Sequence, residues 1–399
     1  MSNIVVNEIC NLRCPYCFAS EFVNKQPKEM TMEDFKTALN FVLSDRSDRQ
    51  VGLIGGEPCL YPHINEALRM ALNDVRADPV MIYTNGVELE KIDPENLEDI
   101  KFRMLVNCNS PADMGQAKFD KMRENLIKFK NEHFGKGRFR LSVNLYKPDF
   151  DYTYIIPIVQ ELGFDTIRLS ISVPSKATIG SMTALEYFET MKPVAMAFVG
   201  DMIRCGCLTG FDCNFLPECV LTPEEHEGLQ NVKDIFYSGL SKNYSRTFWQ
   251  RAILCETHTC TPVIDILPDL NAIRCFGLSE YTKVPISHFR NMKDLRQFYI
   301  DNVDRPSIKY TSSPKCVGCY EGESGNCSGG CHVFKAKDLF GDKNLELDEE
   351  HKNAFFEHNP DKLEEMKEHD HNCEHHHHHH DDDDGPADID GDGCGCGCC

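Results

Sequence analysis

The sequence lacks three features that would each assign it to a common class of protein. It has no uninterrupted apolar run of about 18 residues, which excludes a membrane-spanning helix. No charged n-region followed by an apolar stretch opens the chain, which argues against secretion and leads us to expect a cytoplasmic protein. It also lacks an excess of positive charge, since 42 Lys and Arg against 63 Asp and Glu give a net charge of -21. That balance argues against a general binder of nucleic acid or of anionic membranes.

Cysteine, by contrast, is abundant. The chain has 21 Cys in 399 residues. Without an export signal, so many thiols indicate metal or iron–sulfur ligation rather than disulfides. Hydrophobic residues make up 41% of the chain, which is enough for a sizeable core, and the length allows two or three domains, or one barrel with an appendage.

The negative charge is concentrated near the C-terminus. Residues 338–399 contain 20 Asp and Glu, only 4 Lys, and 10 of the 16 His. We expect residues 374–399 to form a low-complexity, disordered tail. Its six-histidine run, residues 375–380, fits a purification tag or a native metal-binding tract. The final GCGCGCC fits a metal-acquiring tail, a substrate-like segment fused in cis, or a segment without a specific role.

The first 175 residues or so alternate β-branched runs with amphipathic stretches. Predicted strands occupy residues 4–8, 50–54, 79–83, 103–107, 138–146 and 166–172, and predicted helices occupy residues 31–43, 63–73, 117–131 and 152–162. Six successive βα units predict an α/β fold with a parallel sheet, open or closed as a partial (β/α)6 TIM-like barrel. A helix-rich stretch follows at about 184–203, and a Cys- and Gly-rich region with few helical signals then extends to about residue 335.

A loop with three cysteines follows the first predicted strand. Cys10, Cys14 and Cys17 have the spacing Cx3Cx2C. Three thiolates at this spacing hold one face of a cubane cluster and leave its fourth iron open as a Lewis acid. The alternative is a structural zinc site, which normally closes with a fourth Cys or His.

This loop resembles the signature of the radical S-adenosylmethionine (SAM) enzymes, with an aromatic residue, Tyr16, before the last cysteine. Two more motifs carry the resemblance: GGEP at residues 55–58 after the second predicted strand, and YTNG at residues 83–86 at the end of the third. The resemblance covers residues 1 to about 175 and implies a 4Fe–4S site cluster with SAM chelated to its open iron. By itself, GGEP also fits a tight turn.

The resemblance also implies which residues contact SAM. The segment from Gly55 to Glu57 would bind its amino group, because glycine allows close backbone approach and a carboxylate pairs with an ammonium. Polar residues at the ends of the later strands are further candidates, although each also fits a loop hydrogen bond. The implied cofactor contacts are Phe18 (near the adenine), Gly55, Gly56, Glu57, Asn85, Asn107, Ser142, Asn144 and Arg168.

A second set of cysteines occupies the C-terminal half. Residues 260–276 predict a β-hairpin, with an apolar run, a Pro-Asp-Leu-Asn turn and a short strand that ends in a cysteine. The set comprises Cys255, Cys260, Cys275, Cys316, Cys319, Cys327, Cys331 and the distant Cys373. From spacing alone, two zinc sites or a single cluster are alternatives to two clusters.

This arrangement resembles the SPASM extension of radical SAM enzymes that modify peptides and proteins, of which the sulfatase maturases are the best known. The resemblance implies two auxiliary 4Fe–4S clusters. One would take Cys255, Cys260, Cys275 and Cys331. The other would take Cys316, Cys319, Cys327 and Cys373.

The sequence departs from that pattern in four places. Seven residues, not five, separate Cys319 from Cys327, and Cys373 lies unusually far downstream. Asn271 stands in the hairpin turn where the family usually has Gly, although Asn also tolerates the left-handed conformation. Phe276 stands where the sulfatase maturases carry an acidic base. Formylglycine formation is therefore only a minor option.

Other cysteines have no place in these sets. Cys205, Cys207, Cys213 and Cys219 fit buried free thiols, because Cys packs as a small hydrophobe. A third auxiliary site or a thiol that exchanges with substrate is the alternative. Cys59 and Cys108 are interpreted as packing residues.

The two resemblances together imply an enzyme. Reductive cleavage of SAM would give methionine and a 5′-deoxyadenosyl radical, which abstracts hydrogen from an unactivated carbon. We predict the oxidative modification of a peptide or protein, for example by a thioether or carbon–carbon cross-link, with an electron donor such as flavodoxin or ferredoxin. The alternatives are radical oxidation of a small molecule or cofactor precursor and, in another class, a non-catalytic metal-storage or metal-delivery protein.

These predictions divide the chain into four regions. Residues 1–204 form the radical SAM partial barrel, 205–250 a bridging region, 251–373 the SPASM-like cluster domain and 374–399 the tail. Because the first strand begins almost at residue 1, we expect no N-terminal peptide-recognition domain.

Overall fold

A single, mostly parallel sheet organises the molecule. The structure, a computed structural model, describes residues 2–132, 138–172, 181–211, 216–228, 260, 263–325 and 327–358. Within these residues ten strands form one sheet in the order β10-β9-β8-β1-β2-β3-β4-β5-β6-β7. They are β1 (Ser2–Asn7), β2 (Val51–Gly55), β3 (Val80–Thr84), β4 (Phe102–Asn107), β5 (Phe139–Leu145), β6 (Thr166–Ile171), β7 (Leu208–Phe211), β8 (Ile264–Ile266), β9 (Asn271–Ile273) and β10 (Val284–Pro285).

Helices connect and cover the strands. The described α-helices are α1 (Met32–Val42), α2 (Ile64–Asn73), α3 (Pro94–Glu98), α4 (Pro111–Met114), α5 (Gln116–Glu132), α6 (Ile155–Leu162), α7 (Ala184–Arg204), α8 (Ser279–Thr282), α9 (Met292–Tyr299), α10 (Arg305–Ser307), α11 (Tyr320–Glu323), α12 (Ala336–Phe340) and α13 (Glu349–His358). Short 3-10 turns lie at Pro58–Leu60, Leu89–Lys91, Glu218–Val220, Phe276–Leu278, Ile286–His288, Pro314–Cys316 and His332–Lys335, and a π-helical turn at Ile300–Asp304.

Helix α1 shows how the sequence produces these elements. The Thr31 hydroxyl accepts a hydrogen bond from the Asp34 amide and caps the helix, as its sequence predicts. The side chains that α1 buries recur at helical spacing: Phe35, Ala38, Leu39 and Val42. They join a core that also contains alternate residues of the strands, such as Ile4 and Val6 of β1. Burial of this stripe therefore sets the position of α1 on the sheet.

The six predicted strands are all present, and the α/β fold with a parallel sheet is confirmed. The sheet is wider than predicted, because β7 pairs in parallel with β6. On the other edge β8 pairs in parallel with β1, and only β9 and β10 run antiparallel to their neighbours. The sheet therefore continues across the predicted boundaries at residues 204 and 251.

The hairpin predicted at residues 260–276 is present as β8 and β9. Its turn differs from the prediction, since Leu270 and not Asn271 adopts a positive φ of 57°. The Leu267 amide donates to the Asn271 carbonyl and the Leu270 amide to the Leu267 carbonyl, at 2.7 and 3.0 Å, and these bonds hold Leu270 in that conformation. Residues 276–340 also contain more helix than predicted, including α9.

Candidate functional site

The three-cysteine loop leaves the carboxyl end of β1 and is held at its base by Asn24. The Cys10 amide donates to Asn24 Oδ1, and Asn24 Nδ2 donates back to the Cys10 carbonyl, both at 3.1 Å. Asn24 has a positive φ of 60°, a conformation that Asn tolerates better than most residues. This reciprocal pair fixes where the first cysteine begins the loop. Sequence reasoning missed Asn24, and its one sequence signal is its residue type.

The three thiols of this loop act on one another. Burial, followed by the charges of Cys10 and Cys17, raises the pKa of Cys14 to about 12. Burial also raises the pKa of Cys10, to about 11, with Glu57 and Cys17 adding to the shift. The thiols are half-buried and free. They are therefore close enough to act as one ligand set once a bound metal displaces their protons.

A single zinc ion and a cluster require different distances between the three thiolates. Among the described residues, no group of three or more His, Cys, Asp or Glu side chains is compact enough to hold one metal ion. Tetrahedral zinc with bonds of about 2.3 Å needs its thiolates within about 4 Å of one another. In a cubane each cysteine binds its own iron, so the thiols stand farther apart.

Two glycines bring the end of β2 against the backbone of the cysteine loop. A Cβ at residue 56 would lie 2.4 Å from the Ile9 carbonyl oxygen, and one at residue 55 would lie 2.6 Å from the Asn7 carbonyl oxygen. The amides of Gly56 and Glu57 donate to the carbonyls of Asn7 and Ile9, at 2.9 and 2.7 Å. Only glycine fits this contact, so GGEP is more than an ordinary tight turn.

Glu57 links GGEP to the YTNG segment. Its buried carboxylate accepts hydrogen bonds from the Cys59 amide (3.0 Å), the Thr84 hydroxyl (2.6 Å) and the Asn85 amide (2.7 Å). Burial raises the pKa of Glu57, and these donors oppose the shift. The carboxylate is therefore occupied by the protein's own donors. The pairing of this carboxylate with an ammonium stays a prediction, and in the structure Glu57 clamps GGEP to the YTNG segment.

Asn85 connects Glu57 to the cysteine loop through hydrogen bonds. Its Nδ2 donates to Asn11 Oδ1 at 2.8 Å, while its Oδ1 accepts from the Val87 amide at 3.0 Å. The carboxyl ends of β1, β2 and β3 are thus joined by hydrogen bonds around the three thiols.

Polar residues at the ends of β4 and β5 reach the same loop. Tyr16 donates its hydroxyl to Asn109, and the Cys14 thiol lies 3.5 Å from Asn109 Oδ1. Asn144 Nδ2 donates to Asn107 Oδ1 at 2.7 Å, and Asn144 also bonds to Tyr16. The predicted residues Asn107 and Asn144 are therefore connected to the thiols through Tyr16 and Asn109.

Ser142 and Arg168 form a separate pair on β5 and β6. Arg168 Nη1 donates to Ser142 Oγ at 3.3 Å. Ser142 is fully buried, whereas Arg168 is half-buried. Arg168 is thus the member of the pair that a ligand could reach.

An aromatic contact joins the hairpin to the site loop. The Phe18 ring, 52% exposed, lies 4.8 Å from the Phe276 ring between centroids. Phe276 follows Cys275 directly, so the position that holds an acid in sulfatase maturases lies beside the cysteine loop. A small cavity next to these rings is lined by Gly55, Gly56, Phe22 and Phe276, among others.

The C-terminal cysteines form two groups, which we name the hairpin group (Cys260, Cys275, Cys331) and the CxxC group (Cys316, Cys319, Cys327). Burial raises the pKa of Cys275 to about 11, with Cys260 adding to the shift. Burial raises the pKa of Cys331 strongly, followed by Cys260 and Cys275. Burial also raises the pKa of Cys316, followed by Cys327 and Cys319. The structure therefore brings together three predicted ligands of each auxiliary cluster, whereas Cys255 and Cys373 lie outside the described residues.

Buried cations accompany both groups. Arg274, 1% exposed, donates from Nη1 to the Cys260 thiol at 3.4 Å and from Nε to Asp304 at 2.7 Å. Lys335, also 1% exposed, donates to the carbonyls of Ser307 and Ser328 and feels the charges of cysteines in both groups. Buried cations are costly unless anions compensate them. Their presence fits thiolates that hold a metal cluster, and sequence reasoning missed both of them.

The remaining described cysteines lie outside the three sets of predicted ligands. Cys59 and Cys108 are buried, as the packing interpretation predicts. Cys205 and Cys207 precede β7, so they lie at the amino end of the strands, opposite the site. Cys219 is exposed, contrary to the prediction of a buried thiol. Cys213 lies outside the described residues.

The comparisons with known proteins agree with this geometry. The family model described as the Radical SAM superfamily matches residues 4–135, which include the cysteine loop, GGEP and YTNG. The parallel sheet, the loop and the glycine contact define a radical SAM core. The match over residues 4–135, about a third of the chain, therefore identifies a radical SAM domain in its N-terminal part.

Curated relatives match short segments. The chain is 36% identical over 88 residues to GTP 3',8-cyclase of Chlorobaculum tepidum, which is 22% of this chain and 26% of that protein. It is 30% identical over 94 residues to molybdenum cofactor biosynthesis protein 1 of Homo sapiens, which is 23% of this chain and 15% of that protein. The chain thus spans about a quarter or less of the length of these relatives.

Solved structures match over more of the fold. SuiB of Streptococcus suis bound to S-adenosylmethionine matches with a TM-score of 0.52 and 15% identity, covering 83% of this chain and 72% of that chain. The structure of anSMEcpe with bound AdoMet matches with a TM-score of 0.55 and 17% identity, covering 91% and 97%. At these identities the match shows a shared fold.

The described helices include none that is both long and apolar enough to cross a membrane.

Proposed function

We propose that this protein cleaves SAM reductively and uses the resulting radical to oxidise a peptide or protein substrate, for example by forming a thioether or carbon–carbon cross-link. The contact between Phe18 and Phe276 carries the proposal. It puts the hairpin that ends in Cys275, and with it a second thiol set, beside the site loop. A radical formed at the loop and an electron acceptor bound by the hairpin group would then share one active site.

The site loop supplies the ligands. Cys10, Cys14 and Cys17 would hold the site cluster, and the backbone at Gly55 and Gly56 would receive the SAM amino group. The Glu57 carboxylate would contribute by holding this backbone to β3. When bound, the site cluster and SAM supply a 5′-deoxyadenosyl radical that takes a hydrogen atom from the substrate.

Side chains around the loop then position the reactants. Phe18 and Phe276 offer an apolar surface beside the cavity at Gly55 and Gly56, which excludes water from a reactive centre. Arg168, half-buried in the middle of β6 and bonded to Ser142, would also offer its guanidinium to a carboxylate or phosphate. These residues select and orient one bond of the substrate rather than perform the redox chemistry.

The C-terminal cysteines complete an oxidative reaction. A cross-link removes two hydrogens from the substrate, one as a hydrogen atom and one as a proton and an electron. Clusters held by the hairpin group and the CxxC group would supply the acceptor for that electron. Arg274 and Lys335 would raise the reduction potential of such a cluster, because cations and hydrogen-bond donors near cluster sulfurs favour the reduced state. An external donor such as flavodoxin or ferredoxin would supply the electron that cleaves SAM.

A peptide or protein is the substrate class that the fold resemblance supports. One solved relative holds the precursor peptide SuiA and another holds a Kp18Cys peptide. Phe276 has no acid–base function, so formylglycine formation remains a minor option. The second candidate, a small molecule or cofactor precursor, is favoured by the short sequence match to GTP 3',8-cyclase.

Product analysis tests the proposal. The reconstituted full chain is incubated anaerobically with dithionite and SAM, alone, with GTP, or with a cysteine-rich peptide such as the sequence of its own residues 384–399. We expect 5′-deoxyadenosine in all mixtures and the loss of two hydrogens from the peptide alone. Conversion of GTP instead would support the second candidate. Absence of 5′-deoxyadenosine from a protein loaded with iron would contradict both and support metal storage.

A further inference from the structure

The CxxC group has a fourth cysteine beside it that is not the predicted one. Burial raises the pKa of Cys219 to about 11, and the next contributions come from Cys316 and Cys327, with Cys319 also acting. Cys219 therefore lies within electrostatic reach of every member of the group. It comes from a segment about a hundred residues earlier in the chain.

Helix α7 holds the two segments together. Glu189 accepts a hydrogen bond from Lys315, the residue before Cys316, at 2.9 Å. One turn further along the helix, Lys192 donates to Glu225 of the Cys219 segment, also at 2.9 Å. The 3-10 turn Glu218–Val220 contacts α7 as well. Both segments therefore dock on one helix, about one turn apart.

Buried side chains support the same placement. Leu216 and Val220, on either side of Cys219, belong to the main hydrophobic core together with Cys331. Cys219 is nevertheless exposed, whereas Leu216 and Val220 are buried. An exposed cysteine on a packed turn, within electrostatic reach of three other thiols, can close a ligand set without refolding of the segment.

We propose that Cys219, Cys316, Cys319 and Cys327 hold the second auxiliary cluster, with Cys219 in the place that the family pattern gives to Cys373. The assignment rests on the proposed function only in naming the group as a 4Fe–4S cluster. It also explains how α7 joins the two halves of the protein, since a ligand set spanning Cys219 and Cys316 would tie both segments to this helix.

Thiol protection in the unaltered protein tests the assignment. The reconstituted full chain is treated anaerobically with iodoacetamide, before and after iron is removed with a chelator, and each cysteine is read by peptide mass spectrometry. We expect Cys219 to react only after iron removal, in spite of its exposure, while Cys373 and the half-buried Cys205 react in both states. Reaction of Cys219 in protein with about twelve irons, four for each of three cubanes, would overturn the assignment.

Variants give a second readout. We expect Cys219→Ala to lose between about one and four irons per chain and to show a three-iron EPR signal after mild oxidation. Cys373→Ala and the control Cys205→Ala should retain the parent iron content and spectrum. Retention in Cys219→Ala with loss in Cys373→Ala would overturn the assignment. A loaded protein that protects Cys219 but does not cleave SAM would contradict the proposed function and leave the assignment standing.

Discussion

The two cysteine regions of the molecule hold their thiols in different ways. The cation that acts on Cys10 of the site loop is Arg13, which is exposed. In the C-terminal region the cations are Arg274 and Lys335, which are both almost completely buried. The site loop instead contacts Gly55, Gly56 and the side-chain amides of Asn85 and Asn109, with the Glu57 carboxylate nearby. Under the proposed function, a charged ligand would compensate the thiolates of the first region, whereas the second region contains buried cations of its own.

The largest expected effect is a loss of SAM affinity when a side chain is added at Gly56. Gly56→Ala would place a Cβ 2.4 Å from the Ile9 carbonyl oxygen, so the GGEP backbone must move away from the cysteine loop. We expect SAM affinity, measured by anaerobic calorimetry, to fall at least about tenfold, or about 1.4 kcal/mol. Gly200→Ala is the matched control, because its Cβ would lie 3.5 Å from Arg204 Nη1, within a helix. Unchanged SAM affinity in Gly56→Ala would show that this contact does not shape the site.

The contact between β8 and β1, which joins the two regions, contains a buried carboxyl group. Asp265 of β8 accepts a hydrogen bond from Asn3 of β1 at 2.7 Å, and burial raises the pKa of Asp265 to about 7. Because the folded state binds this proton more tightly than the unfolded state, stability is greatest below pH 4 for this group and falls as pH rises to about 7. The full loss is of the order of 4 kcal/mol.

The variant Asp265→Asn tests this pH dependence of stability, because it removes the charge that the folded state disfavours. We expect the variant to lack most of the decline in unfolding free energy between pH 4 and 7, as measured by urea denaturation. Asp269→Asn is the control, since Lys283 and Lys28 offset burial and lower the pKa of Asp269. If the unfolding free energy of Asp265→Asn declined between pH 4 and 7 as much as that of the wild type, Asp265 would not be the cause of the decline.

Removal of the buried cation Arg274 should lower the stability of the C-terminal region and the reduction potential of its cluster, but not the potential of the site cluster. Arg274→Gln leaves Asp304 and the Cys260 thiolate without their guanidinium, and breaking such a pair costs about 3 kcal/mol. We also expect a lower reduction potential for the auxiliary signal in an EPR-monitored titration, with the site-cluster signal unchanged. Arg13→Gln, at an exposed cation, should leave both potentials near those of the parent. Equal shifts of all signals in Arg274→Gln would contradict the separation of the two regions.

The smallest expected effect concerns Lys335, whose replacement should change the melting temperatures of the loaded and the iron-free protein differently. Burial lowers the pKa of Lys335, while cysteines of both groups oppose that shift. With the clusters bound, thiolates compensate the cation, whereas without them the lysine is a buried charge facing neutral thiols. Lys335→Met should therefore lower the melting temperature of the loaded protein by a few degrees, and leave that of the iron-free protein unchanged or raise it. The same change in both states would mean that Lys335 has no relation to the clusters.

Local sequence patterns were sufficient for most of the barrel. Alternation and helical periodicity identified six strands and helices such as α1, because burial of one face is a local property of the sequence. The site loop was predictable for a related reason, since its ligands, glycines and Asn85 all follow strands whose carboxyl ends share one edge.

Contacts between distant segments were not predictable. The pairing of β8 with β1 depends on the register of residues more than 250 positions apart. Arg274 and Lys335 look like ordinary cations in the sequence and acquire a role only when the fold buries them beside thiols. The three donors that hold the Glu57 carboxylate were not predicted either, since two of them lie in β3 and directly after it.

The central claim is that the two regions hold separate iron–sulfur centres. Iron and sulfide per chain, measured after anaerobic reconstitution of the parent and of the triple variant Cys10→Ala, Cys14→Ala, Cys17→Ala, test it most directly. We predict about twelve irons in the parent and about eight in the variant, from four irons per cubane. About four irons in the parent and none in the variant would contradict the claim, because the C-terminal cysteines would then hold no cluster.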